Sequence, residues 1–93
     1  MDFRIPADHP SLPGHFPGRP IVPGVVLLDR VLEAIEAEGA QIDALRLPQV
    51  KFLRPLLPEE SARIELQAQE GRVWRFRIVR GDELIASGEV AAA

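Results

Sequence analysis

From residue 62 onward the chain alternates apolar and polar side chains with a period of two, and that pattern decides the fold class. Ala62, Ile64, Leu66 and Ala68 take turns with Arg63, Glu65, Gln67 and Gln69; Trp74, Phe76 and Ile78 do the same with Arg75 and Arg77. Successive side chains of a strand point to opposite faces, so each run predicts a strand with one buried and one wetted face. Glu70-Gly71 and Gly81-Asp82 are suited to hairpin turns, and Leu84 to Val90 reads as the last strand. Leu45 to Arg54 reads as a bent or bulged strand, because its apolar phase switches across Pro48 from Leu45 and Leu47 to Val50 and Phe52. Phe3 and Ile5 suggest a short first strand.

One segment follows the helical period instead. Pro23 suits a first helical turn and Gly39 the position just past a last one, with Val25, Leu28, Leu32 and Ile35 in helical spacing between them. Leu27 and Val31 widen this apolar stripe, and Arg30, Glu33 and Glu36 mark the outer face. A helix of about 15 residues is roughly 23 Å long, enough to cross a small sheet. One apolar helix and a half-wetted antiparallel sheet imply an α+β domain in which the sheet curls around the helix.

The 93 residues are expected to form a single domain over 1–93 with a thin core. Without cysteine neither a disulfide nor a Cys-rich metal site can support it, which leaves oligomerisation. A net charge of −3 and the absence of a concentrated Lys/Arg run argue against nucleic acid as a ligand. The start lacks an apolar signal core, and the run Val25 to Leu28 is far shorter than the roughly 20 residues that span a bilayer. A cytoplasmic protein is expected.

The chemistry concentrates between Leu12 and Gly24, where four prolines and three glycines surround His15. Proline fixes φ and glycine permits tight turns, so such a segment can hold one imidazole in one orientation at little further entropic cost. With an ordinary pKa of about 6.5, an imidazole is a candidate general base near neutral pH, although a lone histidine in a turn also serves as a structural hydrogen-bonder. Asp29 is the obvious acid, about 40° around the helix from Val25 and about 60° from Leu32, on the border of the stripe. It is equally readable as a solvated helix residue. Gly24, at the helix start, has a backbone N–H suited to a developing oxyanion, or it simply relaxes the backbone beside proline. His9, His15, Asp8 and Asp29 match no standard metal-ligand spacing, so no metal site is expected.

The segment His15-Phe16-Pro17-Gly18-Arg19-Pro20-Ile21-Val22-Pro23-Gly24-Val25 closely resembles the signature of the hot-dog-fold 3-hydroxyacyl-[acyl-carrier-protein] dehydratases of type II fatty acid synthesis. Val50-Lys51-Phe52-Leu53-Arg54-Pro55 is similar to the strand that follows the central helix in that family. The resemblance implies a hot-dog fold, a curved antiparallel sheet wrapped around one central helix. It implies that His15 is the catalytic imidazole, that the Gly24 N–H polarises a thioester carbonyl, and that Asp29 holds the place of the acid, usually Glu in the family and Asp in a related branch. Phe16 and Phe52 are expected to line an apolar acyl tunnel. Pro58-Glu59-Glu60 stands where the family has Pro-Gly-Asp.

The implied substrate is a (3R)-3-hydroxyacyl thioester on the phosphopantetheine arm of acyl carrier protein, dehydrated to the trans-2-enoyl thioester without cofactor or metal. The short subgroup of aryl polyene and related specialised-lipid pathways resembles this chain most closely. In the family the imidazole and the acid come from different subunits, which implies a homodimer, a hot-dog heterodimer or a higher oligomer. Arg19, Lys51 and Arg54 are candidate contacts for an acidic carrier protein. The alternatives are a hot-dog acyl thioesterase, with Asp29 activating water, and a non-catalytic subunit that completes a partner's site.

Overall fold

The alternating segments become strands where their periodicity requires. The computed structural model describes residues 1–10, 12 and 21–92. It contains β1 (Asp2–Phe3), α1 (Gly24–Ala37), β2 (Leu45–Phe52), β3 (Ala62–Gln69), β4 (Val73–Arg80) and β5 (Glu83–Ala92). The strands form one antiparallel sheet in the order β1-β3-β4-β5-β2. Because β1 and β2 occupy opposite edges, the chain between them must cross the sheet, and α1 lies in that crossing. This is the α+β, hot-dog arrangement expected above.

The inner face is built in cross-strand rows. Ile64 faces Ile78, which faces Ala86; Leu66 faces Phe76; Trp74 faces Val90. Against these rows α1 buries Val26, Leu27, Val31, Ala34 and Ile35 in one cluster with the sheet. Each fully buried Val, Leu, Ile or Phe contributes about 1.5–3 kcal/mol, so this contact dominates the stability of the domain. On the opposite face Arg77 pairs with Glu65 at 3.0 Å and Arg75 with Glu89 at 3.5 Å, a solvated charge ladder as the alternation predicts.

The helix begins after Pro23, which has extended geometry (φ −61°, ψ 146°), and Gly39 (φ +99°) follows the C-cap residue Glu38. The C-terminal end agrees with the sequence reading, whereas Pro23 stands just before the first helical turn rather than in it. The phase switch across Pro48 is likewise real, seen as a register shift between Arg46 and Gln49. A second irregularity was not predicted. Ile78 pairs with Ala86 but Val79 with Leu84, leaving Ile85 as an extra residue in β5. The Ile85 carbonyl then accepts the amides of Leu53 (2.8 Å) and Arg54 (3.2 Å), which is why β2 ends at Phe52 rather than Arg54.

Two contacts fix the edges. A Cβ on Gly88 would press on the Gln49 carbonyl and lie 2.9 Å from the Val50 Cα, so glycine is what lets bulged β2 lie close to β5. On the other side Glu59 adopts a left-handed φ of +70° where the family resemblance puts glycine. Its amide donates to the Ile5 carbonyl (2.8 Å) and its Oε1 accepts from the Ala7 amide (2.8 Å), so the side chain offsets the backbone cost by tying down residues 5–7. Nearby, Arg80 donates to Glu60, Glu83 and the Pro55 carbonyl at 2.8–3.0 Å. The hydrogen bond to Glu83, opposed by desolvation and aided by Glu60, holds its pKa above the usual arginine value.

Two measurements test this account. Gly88→Ala should lower the unfolding free energy by about 1–3 kcal/mol in urea titrations, from overpacking against backbone. Glu59→Ala should lose about 1–2 kcal/mol, whereas Glu59→Gly should lose less because it relieves the left-handed strain while losing the same side-chain hydrogen bond. The reverse order would mean that a φ of +70° carries no strain for a non-glycine residue at this position.

Candidate active site

A cavity of about 490 Å³ opens at the N-terminal end of α1, lined in part by Val22, Gly24, Leu27, Phe52, Leu53 and Leu56. Local chain geometry builds it. The Val22 amide donates to the Leu56 carbonyl at 2.8 Å, fastening the segment before the helix to the loop after β2, and both side chains are buried. Gly24 and Phe52, two of the residues singled out from the sequence, therefore meet here. The tip of the Phe52 ring points at Gly24, where a Cβ would come within 2.7 Å of Cζ.

The helix start also has the electrostatics expected of it. The amides of Val26 and Leu27 both donate to the Pro23 carbonyl, at 3.0 and 3.3 Å, and there is no side-chain cap. Among the described residues the amides of Gly24 and Val25 have no protein acceptor. Two such donors, with the positive end of the helix dipole behind them, suit an anionic oxygen.

Asp29 lies elsewhere. Five residues after Gly24, it projects about 140° around the helix from it, and it is exposed rather than held at the border of the buried stripe. Its surroundings are a separate cleft of about 330 Å³ shared with His9, Arg30, Glu33 and Glu36. Arg30 is bound to Glu33 at 2.7 Å. One protomer thus does not bring the acid and the helix-start amide into one cavity, nor does it bury Asp29. His15, Phe16 and Arg19 lie outside the described residues. Lys51 and Arg54 are exposed, and Arg54 is engaged with Glu83 at 3.4 Å. The presence of His9 in the Asp29 cleft was not foreseen, since no spacing rule links residues so far apart in the chain.

A family model described as ApeI-like (ApeI dehydratase) matches residues 1–89. The chain belongs to this family. The FabZ 3-hydroxyacyl-[acyl-carrier-protein] dehydratase of Rhodospirillum rubrum is 26% identical over 97% of the chain and 64% of its own length. That of Granulibacter bethesdensis is 31% identical over 96% of the chain and 61% of its length. The chain therefore spans just under two thirds of these curated relatives. Among solved structures, the dehydratase heterocomplex ApeI:P from Xenorhabdus doucetiae superposes with a TM-score of 0.79 at 24% identity, over 97% of this chain and 81% of that one, a likeness of fold. In this chain Gly24 and Phe52 sit together at the helix start while Asp29 lines a different cleft.

The Gly24–Phe52 contact is testable by a double-mutant cycle. Gly24→Ala should cost about 1–2 kcal/mol with Phe52 in place and less in a Phe52→Ala background, a coupling of roughly 0.5–1.5 kcal/mol. Equal costs in both backgrounds would show that the ring is not what requires glycine.

Proposed function

We propose that this chain dehydrates a (3R)-3-hydroxyacyl thioester, carried on the phosphopantetheine arm of acyl carrier protein, to the trans-2-enoyl thioester. The observation that carries the reading is the family match over residues 1–89 in a chain that has His15, Gly24 and Asp29 together. In this mechanism the neutral His15 imidazole takes a proton from C2, and the Gly24 N–H stabilises the charge developing on the thioester oxygen. The C2–H electrons become the C2=C3 double bond as the C3–O bond breaks, and Asp29 gives the departing hydroxyl the proton that completes water. Proton transfer next to a thioester carbonyl needs no redox step, and we assign no cofactor or metal to it.

The separation of Asp29 from the Gly24 cavity within one protomer supports a site made by two subunits. The outer edge of β2 supports the same assembly: among the described residues β2 pairs only with β5, and Leu47, Phe52 and Leu53 on or just beyond it are exposed. An unpaired strand edge flanked by apolar side chains favours association with a second strand. The partner would be a second copy or another hot-dog subunit, and the acyl chain would run between them past Phe52 and Phe16. Lys51 and the other exposed cations near this edge would receive the acidic carrier protein. None of the described helices is long and apolar enough to cross a membrane, and a cytoplasmic setting belongs to the same proposal.

One assay separates the possible activities. With 3-hydroxyacyl carrier protein as substrate, mass spectrometry of the acyl group should show loss of water; release of free acid would indicate a thioesterase, and an unchanged acyl group in both the homomeric protein and its complexes a supporting subunit. His15→Ala and Asp29→Asn should each lower the rate by at least about 100-fold with the fold retained. Full activity in either variant would remove that residue from the mechanism.

A further inference from the structure

We propose that Arg80 is a positioning residue for one wall of the helix-start cavity and thereby sets how strictly the site selects its acyl group; this rests on the dehydratase reading above, in which the acyl chain passes Phe52. The wall is the stretch from Leu53 to Leu56, which follows β2 and shares the lining of the cavity with Val22, Gly24 and Leu27. A loop holds one shape only where its backbone groups are bonded, and here every such bond comes from outside the stretch. The amides of Leu53 and Arg54 donate to the Ile85 carbonyl, at 2.8 and 3.2 Å. The Pro55 carbonyl accepts from Arg80, and the Leu56 carbonyl accepts the Val22 amide at 2.8 Å, so the position of the wall is passed to the segment that leads into Gly24.

Arg80 holds the middle of that wall. It ends β4, and its side chain is 23% exposed against 60% for Arg54, so it is packed into the fold rather than spread over it. Its Nη1 donates to the Pro55 carbonyl at 3.0 Å and to Glu60 Oε1 at 2.8 Å, and its Nη2 donates to Glu83 Oε1 at 3.0 Å. The same Glu60 oxygen accepts the Leu57 amide at 2.8 Å, which extends the clamp past the end of the wall. Proline has no N–H, so the carbonyl of Pro55 is the one polar group by which its backbone can be held. A planar guanidinium serves these acceptors in a fixed geometry, whereas an ammonium on a flexible stem holds them less rigidly. Selectivity depends on that stiffness. An apolar cavity rejects an overlong acyl group only if its wall does not give, and a misfitting methylene is then worth about 10-fold to 200-fold in kcat/KM.

The test compares 3-hydroxyacyl carrier proteins of increasing chain length. The ratio of kcat/KM for the best substrate to that for one about four carbons longer should fall at least about 5-fold in Arg80→Ala and in Glu60→Ala, and less in Arg80→Lys. Loss of folded protein lowers every rate by one factor and leaves this ratio unchanged. Arg72→Ala is the control: Arg72 Nη2 also donates to a backbone carbonyl, that of Gln41 at 2.6 Å, but neither residue lines this cavity, and the ratio should stay as in the wild type. Hydrogen exchange of the Val22 amide should quicken roughly 10-fold in Arg80→Ala and Glu60→Ala and not in Arg72→Ala. Glu60→Ala carries the test if Arg80→Ala does not fold. An unchanged ratio in the clamp variants, or an equal fall in Arg72→Ala, overturns the assignment of Arg80 while leaving the dehydratase reading intact. Absence of water loss from the wild-type protein in any assembly removes both.

Discussion

The burial of one face of α1 against β3, β4 and β5 is the constraint on which the rest of this structure depends. The described residues form one core cluster, and Val26, Leu27, Val31 and Ile35 must meet Ile64, Phe76, Ile78 and Ile85 for either layer to persist. The strand order reinforces the contact. With β1 and β2 at opposite edges, docking α1 also fixes where the chain enters and leaves the sheet. A helix seated in this way has little freedom to rotate, so each of its residues acquires a defined neighbourhood.

That fixed rotation separates the residues proposed to carry the chemistry. The helix start, capped by no side chain, opens into the cavity beneath Phe52, while Asp29 emerges on another face beside His9. On the proposed dehydratase reading, a single protomer supplies two half-sites rather than one whole site. The thin core, and an edge of β2 that pairs with no strand among the described residues, both favour the proposed assembly in which such halves are joined.

Much of this could be read in advance because it depends on local periodicity. The phase switch around Pro48 reappears as the register shift between Arg46 and Gln49, and Gly39 takes the positive φ that a helix end favours. Other features could not be read. The extra residue at Ile85 has no local signature, since Ile85 and Ala86 are both apolar and both fully buried, and the bulge is visible only against β4. Glu59 shows the opposite case, a residue poorly suited to its backbone conformation that is retained there by Ile5 and Ala7, more than fifty positions away.

By itself the sequence determined the strand and helix segments, the motif that marks the family, and the residue types able to act as base, acid and oxyanion donor. These are properties of neighbours in the chain, set by side-chain period, turn preference and intrinsic acidity. Only the tertiary structure decided that Phe52 rests on Gly24, that Asp29 is exposed in a cleft of its own, and that His9 shares it. Those relations join residues twenty or more positions apart, and they arise from how one helix is rotated on one sheet, a quantity no local pattern encodes.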